Sequence, residues 1–94
     1  MTATAAVSTG QPDSDDPRIA ALRVRIDEID TTIIALWRER AELSRQVGAA
    51  RVASGGTRLS LGREREILDR FHAALGTEGT ELGMLALRAG RGRL

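Results

Sequence analysis

An arginine stands where the longest apolar repeat of this sequence asks for an aliphatic side chain. Stepping from Leu36 by four residues and then by three to Leu43 lands on Arg40, and the same stride carries Val47 to Arg51, eleven residues and three helical turns past Arg40. Both guanidinium groups therefore share one helix face. From spacing alone, two accounts of Arg40 stand side by side. It snorkels to the seam's edge or pairs with a partner-chain acid such as Glu39 or Glu42, or the helix face opens into a polar cavity that needs a fixed cation. Arg23 lies beside Ile26 at the other end of the seam, and Arg63 with Glu64 follows a glycine loop. Four arginines thus fall where helix faces or termini would converge in an antiparallel dimer. Arginine grips carboxylates with two parallel hydrogen bonds, so the set points to a small ligand carrying more than one carboxylate.

The residues that are missing narrow the chemistry. All 14 basic residues are arginine, there is no Cys or Tyr, and His72 is the one histidine. A Schiff-base lysine, a thiolate nucleophile and a zinc-thiolate site are excluded together, and a lone histidine makes no metal site. His72, next to Phe71, reads as a surface or boundary histidine. Ser44, Ser54 and Ser60 have no base and orienting partner for a triad, and Gly55-Gly56 follows no strand and precedes no lysine, so it is neither a dinucleotide nor a P-loop signature. An enzyme built from these residues works without metal or cofactor, by positioning and fixed charge.

The elements that must hold these side chains follow from the breakers and the periodicity. Residues 1–15, with Val7 as the single branched aliphatic, cannot bury enough surface to offset their ordering entropy and read as a disordered leader. Asp16-Pro17 reads as an N-cap with proline at the first helical position. A long helix then runs through Ile19, Leu22, Ile26, Ile29, Ile33, Leu36, Leu43, Val47 and Ala50 to about Ser54, with Gly48 marking a close backbone approach or nothing. Such a helix is ~55 Å long at ~1.5 Å per residue, against a radius of gyration of ~13 Å for a compact globule of this size. Its seam needs a second copy of the chain to cover it. Ser60 caps a second helix with Ile67, Leu68, Phe71 and Leu75 on one face, ended by Gly76. Thr77 or Thr80 caps a third with a Leu82, Leu85, Ala86 and Ala89 stripe, which dissolves at Gly90 into a flexible basic tail. The expected architecture is all-α, a three-helix domain over residues 16–94 with one long N-terminal helix and a second copy of the chain lying along it.

The apolar fraction is 41% but the aromatic fraction only 2%, which suits helices packed through Ala, Leu, Ile and Val. Asp13, Asp15 and Asp16 take three of the 13 acids, leaving a body of 14 arginines against ten acids, or +4. That balance admits nucleic acid, an anionic membrane surface or small anionic ligands as partners. No stretch approaches the ~20 apolar residues of a membrane span, and no basic-then-apolar leader opens the chain, so it reads as soluble and cytoplasmic.

The ordered set Leu22-Arg23-x-x-Ile26-Asp27-x-x-Asp30, Leu36-x-x-x-Arg40-x-Glu42-Leu43, Val47-Gly48-x-x-Arg51 and Arg63-Glu64-x-x-Ile67-Leu68 resembles the all-α chorismate mutases. Ala53-Ser54-Gly55-Gly56-Thr57-Arg58-Leu59 and the Arg88-x-Gly90-Arg91-Gly92-Arg93-Leu94 ending are similar to their short intracellular actinobacterial subclass. The resemblance implies an intertwined dimer that rearranges chorismate, a dicarboxylate, to prephenate on the route to Phe and Tyr, with no cofactor. It implies that Arg40 and Arg51 are core-facing cations, that Arg63 binds a carboxylate, and that Glu64 binds the substrate hydroxyl. Arg23 resembles an arginine donated by the partner chain, and Thr57 with the backbone near Ser60 resembles a loop that closes over a carboxylate.

The family's usual Gln or Glu late in the third helix is replaced by a run of Leu85, Leu87, Arg88 and Ala89, which implies a slow isolated enzyme. The subclass also implies docking on the synthase that makes 3-deoxy-arabino-heptulosonate 7-phosphate, with ordering of the tail. Two other readings compete. An isochorismate pyruvate-lyase resembles the same fold and arginines but usually carries a loop lysine, absent here. A non-catalytic helical dimer binding nucleic acid or a partner protein draws support from Gly-Arg-Gly-Arg, although no aromatics interleave the charges.

Overall fold

The computed structural model of the chain describes residues 16–57 and 59–92. It contains α1 (Pro17–Ala53), α2 (Leu61–Leu75) and α3 (Thr77–Arg91), with no strand among the described residues, so the class is all-α. The expected leader, residues 1–15, lies outside the described residues, as do Arg93 and Leu94 of the expected tail.

Asp16 caps α1 as its position before Pro17 predicts. Its Oδ1 accepts the Arg18 backbone N–H at 2.8 Å and its Oδ2 accepts the Arg18 guanidinium at 3.3 Å. The Arg18 side chain, and then the Arg18 backbone N–H, hold the Asp16 carboxyl below the usual carboxylate range. At the other end, the backbone N–H groups of Gly55 and Gly56 return to the carbonyls of Val52 and Arg51 at 3.0 and 2.8 Å. Gly55 has φ +90°, a left-handed conformation that favours glycine and stops the helix one residue short of Ser54.

By its internal contacts the chain divides at Ile34/Ala35. In the first unit the described residues belong to the N-terminal stretch of α1. There the hydroxyls of Thr31 and Thr32 donate to the Asp27 and Glu28 carbonyls at 2.9 and 3.1 Å, which satisfies two polar groups within a continuous helix. The apolar seam is present but uncovered, with Leu22 64% and Ile33 54% exposed.

In the second unit α2 and α3 form a hairpin. Ser60 caps α2, its Oγ accepting the Arg63 N–H at 3.4 Å, and Gly76 at φ +72° ends the helix with its own N–H on the His72 carbonyl at 2.7 Å. Neither threonine caps α3. Gly76 itself stands at that N-cap with no side-chain bond, because a single residue joins the helices, and Thr80 Oγ1 instead meets His72 Nδ1 at 2.9 Å.

Of the α3 stripe Leu82, Leu85, Ala86 and Ala89, only Ala86 lies on the buried face. Gly79, Gly83, Ala86 and Gly90 are buried, while Leu82 and Leu85 are exposed. Close approach accounts for this choice. A Cβ on Gly79 would stand 2.7 Å from the Phe71 carbonyl carbon and 2.8 Å from Leu75 Cβ, and one on Gly90 would strike Ser44. Nor does the helix dissolve at Gly90. It runs to Arg91, because packing against Ser44 outweighs the ~1 kcal/mol a helical glycine costs, and Gly92 at φ +66° follows as the C-cap. Gly48 is buried inside α1. The buried apolar side chains are Ala41, Ile67 and Ala86 alone among the described residues, so one chain has almost no private core.

The glycine face gives a paired test. Gly79→Ala should destabilise the fold by about 1 to 3 kcal/mol in urea unfolding, since backbone rather than a flexible side chain blocks the new methyl. Gly62→Ala, in α2 with nothing within 4 Å of its Cβ, should be neutral or stabilise by up to about 1 kcal/mol.

Candidate active site

The C-terminal part of α1, the approach to α2 and the end of α3 enclose a cavity of about 790 Å³. Leu43, Val47, Ile67 and Leu87 supply apolar wall, and Gly48 keeps the α1 surface low between them. Five arginines line it, Arg40, Arg45, Arg51, Arg63 and Arg91, against one carboxylate, Glu64. An apolar enclosure with that excess of fixed cations suits a small organic anion carrying two or more acidic groups.

Each cation is held by a different device. Arg40 is half-buried, and its Nη1 donates to the Ala86 carbonyl of α3 at 3.4 Å. The aliphatic position in the seam is thus given to a cation whose head reaches across to another helix. Glu42, one of the acids considered as its mate, is engaged within this chain by Arg45 at 3.0 Å and Gln46 at 3.3 Å. Those two side chains, Arg45 first, hold the Glu42 carboxyl below its usual range. Arg45 also donates to the Ala89 carbonyl at 3.3 Å, so it clamps the last turn of α3 onto α1.

Arg51 is exposed, and its Nε donates to the Thr57 carbonyl at 2.9 Å. Thr57 Oγ1 donates to the Leu59 carbonyl at 2.7 Å, which shapes the loop that holds Arg51. Arg63 is exposed at the head of α2, with its Nη1 3.4 Å from Glu66, an i,i+3 pair of little energetic consequence that a ligand can displace. Glu64 lies in the first turn of α2, where a negative charge suits the helix dipole. Arg91 closes on it from the last turn of α3, with Nη2 2.8 Å from both carboxylate oxygens.

Of the residues singled out from sequence, Arg40, Arg51, Ser60, Arg63 and Glu64 line this one cavity. Thr57 does not line it but fixes Arg51 through its backbone, and Arg23, on the N-terminal stretch of α1, is not among the lining residues. Arg91 was missed, because Gly90 and Gly92 read as a tail. The signal lay in the small residues Gly79, Gly83, Ala86 and Gly90, whose 4-3-4 spacing carries the helical period past Gly90. His72 sits on Thr80 and does not line the cavity. No group of three His, Cys, Asp or Glu among the described residues could hold a metal ion, and the Ser60 hydroxyl is engaged as a helix cap. The arrangement can bind an anion, fix its conformation and stabilise charge that develops within it.

Comparison with known proteins agrees on what this arrangement is similar to. Residues 22–86 match the family model described as chorismate mutase type II. The intracellular chorismate mutase of Mycolicibacterium smegmatis is 55% identical over 78 residues, covering 83% of this chain and 75% of that protein. The intracellular chorismate mutase of Mycobacterium tuberculosis is 50% identical over 78 residues, covering 83% and 73%. Among solved structures, a non-covalent complex of DAHP synthase and chorismate mutase from Corynebacterium glutamicum, with a bound transition state analog, matches with a TM-score of 0.79 and 38% identity. That match covers 84% of this chain and 95% of the matched one.

Proposed function

The chain belongs to the chorismate mutase type II family and is a chorismate mutase, and on that premise we propose that its cavity works on chorismate by arginine positioning and fixed charge. The observation that carries this reading is the meeting of Arg40, Arg51, Arg63 and Glu64 around one cavity. In the rearrangement to prephenate the ether C–O bond of chorismate breaks as a C–C bond forms between the side-chain terminus and the ring, and no atom or proton is lost. The protein has therefore only to hold the compact conformer and stabilise negative charge growing on the ether oxygen. Arg63 grips a carboxylate, Glu64 accepts the substrate hydroxyl, and Arg40 and Arg51 are the cations facing the breaking bond. The Thr57 and Ser60 loop closes over a carboxylate.

Removing one preorganised charged donor costs ~3 to 4 kcal/mol of barrier, or about 10²- to 10³-fold in rate. Arg51→Ala should lose that much activity in an ultraviolet assay of chorismate consumption, while Arg51→Lys, which keeps a cation, should retain far more. A folded Arg51→Ala enzyme with normal turnover would remove Arg51 from the chemistry.

The working unit is a homodimer in which Arg23 enters the site from the second copy. Support comes from the exposed seam of the 37-residue α1, where Leu22, Ile26, Ile33, Leu36, Leu43 and Val47 are each more than half exposed in one chain. Sedimentation at micromolar concentration should give a dimer, and Ile33→Glu should weaken it and lower activity together. A folded, active monomer contradicts this account.

The Corynebacterium glutamicum mutase was solved in complex with DAHP synthase, and this chain is read as docking on such a synthase through the residues beyond α3. No described helix is long and apolar enough to cross a membrane, and the relatives named intracellular support a cytoplasmic place for this chain. Deleting Arg93 and Leu94 should leave the basal rate unchanged and abolish activation by added synthase. Equal activation of the truncated chain would move the contact elsewhere.

A further inference from the structure

Glu64 is the one carboxylate among the cavity's lining residues, and something must decide where it points. The other lining arginines are engaged elsewhere: Arg40 on the Ala86 carbonyl, Arg45 on Glu42 and the Ala89 carbonyl, Arg51 on the Thr57 carbonyl, Arg63 on Glu66. Arg91 engages Glu64. Its Nη2 is 2.8 Å from both oxygens, and its Nε donates to Oε2 at 3.2 Å. A guanidinium edge laid across both oxygens fixes the rotation of the carboxylate as well as its position. The pair is sheltered, with the Arg91 side chain 31% and the Glu64 side chain 18% exposed, so solvent screens it less than the chain's surface pairs.

We propose that Arg91 is a positioning residue for this reaction, holding the Glu64 carboxylate so that it faces the substrate hydroxyl. An ionised carboxylate offers about four acceptor sites. Contacts from a single guanidinium leave room for one hydroxyl donor. Arg91 is itself placed by rigid parts, since α3 reaches α1 at the Gly90–Ser44 contact and is clamped there by Arg45 on the Ala89 carbonyl. The inference rests on the reading of Glu64 as the hydroxyl acceptor.

A double-mutant cycle on the full chain separates the two. Arg91→Ala should lower kcat/KM by roughly 10- to 100-fold, the scale of a misplaced binding group. Arg91→Lys should recover only part of the loss, because an ammonium supplies the charge without the fork. In a Glu64→Gln background, Arg91→Ala should add no more than about a twofold loss, since the group it orients is gone. Circular dichroism and sedimentation establish that each variant is folded and assembled. If Arg91→Ala does not fold, Arg91→Lys carries the same cycle. Independent, multiplying losses from the two sites would overturn the inference and leave the role of Glu64 intact. A faster Arg91→Ala enzyme would also overturn it, by showing that Arg91 obstructs the site. Full activity in Glu64→Gln alone would instead remove Glu64 from the mechanism and this inference with it.

Discussion

The missing side chain at Gly90 is the constraint on which the second half of the molecule rests. A Cβ there would collide with Ser44, so only glycine lets the last turns of α3 lie directly on α1. Everything at that end follows from the contact. Arg45 can reach the Ala89 carbonyl, Arg40 can reach the Ala86 carbonyl, and Arg91 arrives opposite Glu64. Backbone proximity between helices usually serves packing. Here it also sets the depth at which charged side chains meet.

Five arginines around one cavity present an electrostatic problem before any ligand binds, because like charges in a partly dry enclosure repel one another. The chain's answer is to give three of the five a backbone carbonyl as partner, Arg45 pairing with Glu42 as well. Arg40, Arg45 and Arg51 each donate to a main-chain oxygen. A carbonyl dipole holds a guanidinium in place without cancelling its charge, so the cavity stays attractive to a dianion. Only Glu64 brings negative charge inside, and it is tied by two oxygens to a cation of its own. On the proposed reading the site works through oriented dipoles and fixed charge, and the sequence carries no Cys or Lys nucleophile.

Much of this was legible in the residues. The 3-4 stride from Ile19 to Ala50 gave α1, Asp16-Pro17 its start, and the break in the stride at Arg40 and Arg51 located two of the cavity's five cations. What sequence reasoning lost was set by tertiary contact. The apolar stripe of α3 ran through Leu82, Leu85, Ala86 and Ala89, of which Ala86 alone is buried, whereas the approach of Phe71 and Leu75 leaves space for a hydrogen atom alone at Gly79. Gly90 likewise read as a helix end. Which carbonyl or acid each arginine would meet could not be read from spacing, since Arg40 and Ala86 are 46 residues apart and Glu64 and Arg91 are 27 apart.

Gly76 is at once the last cap of α2 and the first of α3, a connection with no slack. An inserted or deleted residue there would turn α3 by ~100° about its axis and slide it ~1.5 Å. The glycine face would leave α2, and Arg91 would swing away from Glu64. The hairpin is in effect a keyed joint, whose length cannot drift as lineages diverge. The described residues between Ser54 and Ser60 carry the Gly55 stop of α1, the hold of Thr57 on Arg51 and the Ser60 cap of α2, so a change of length there would have to rebuild each of these contacts without turning one helix against another.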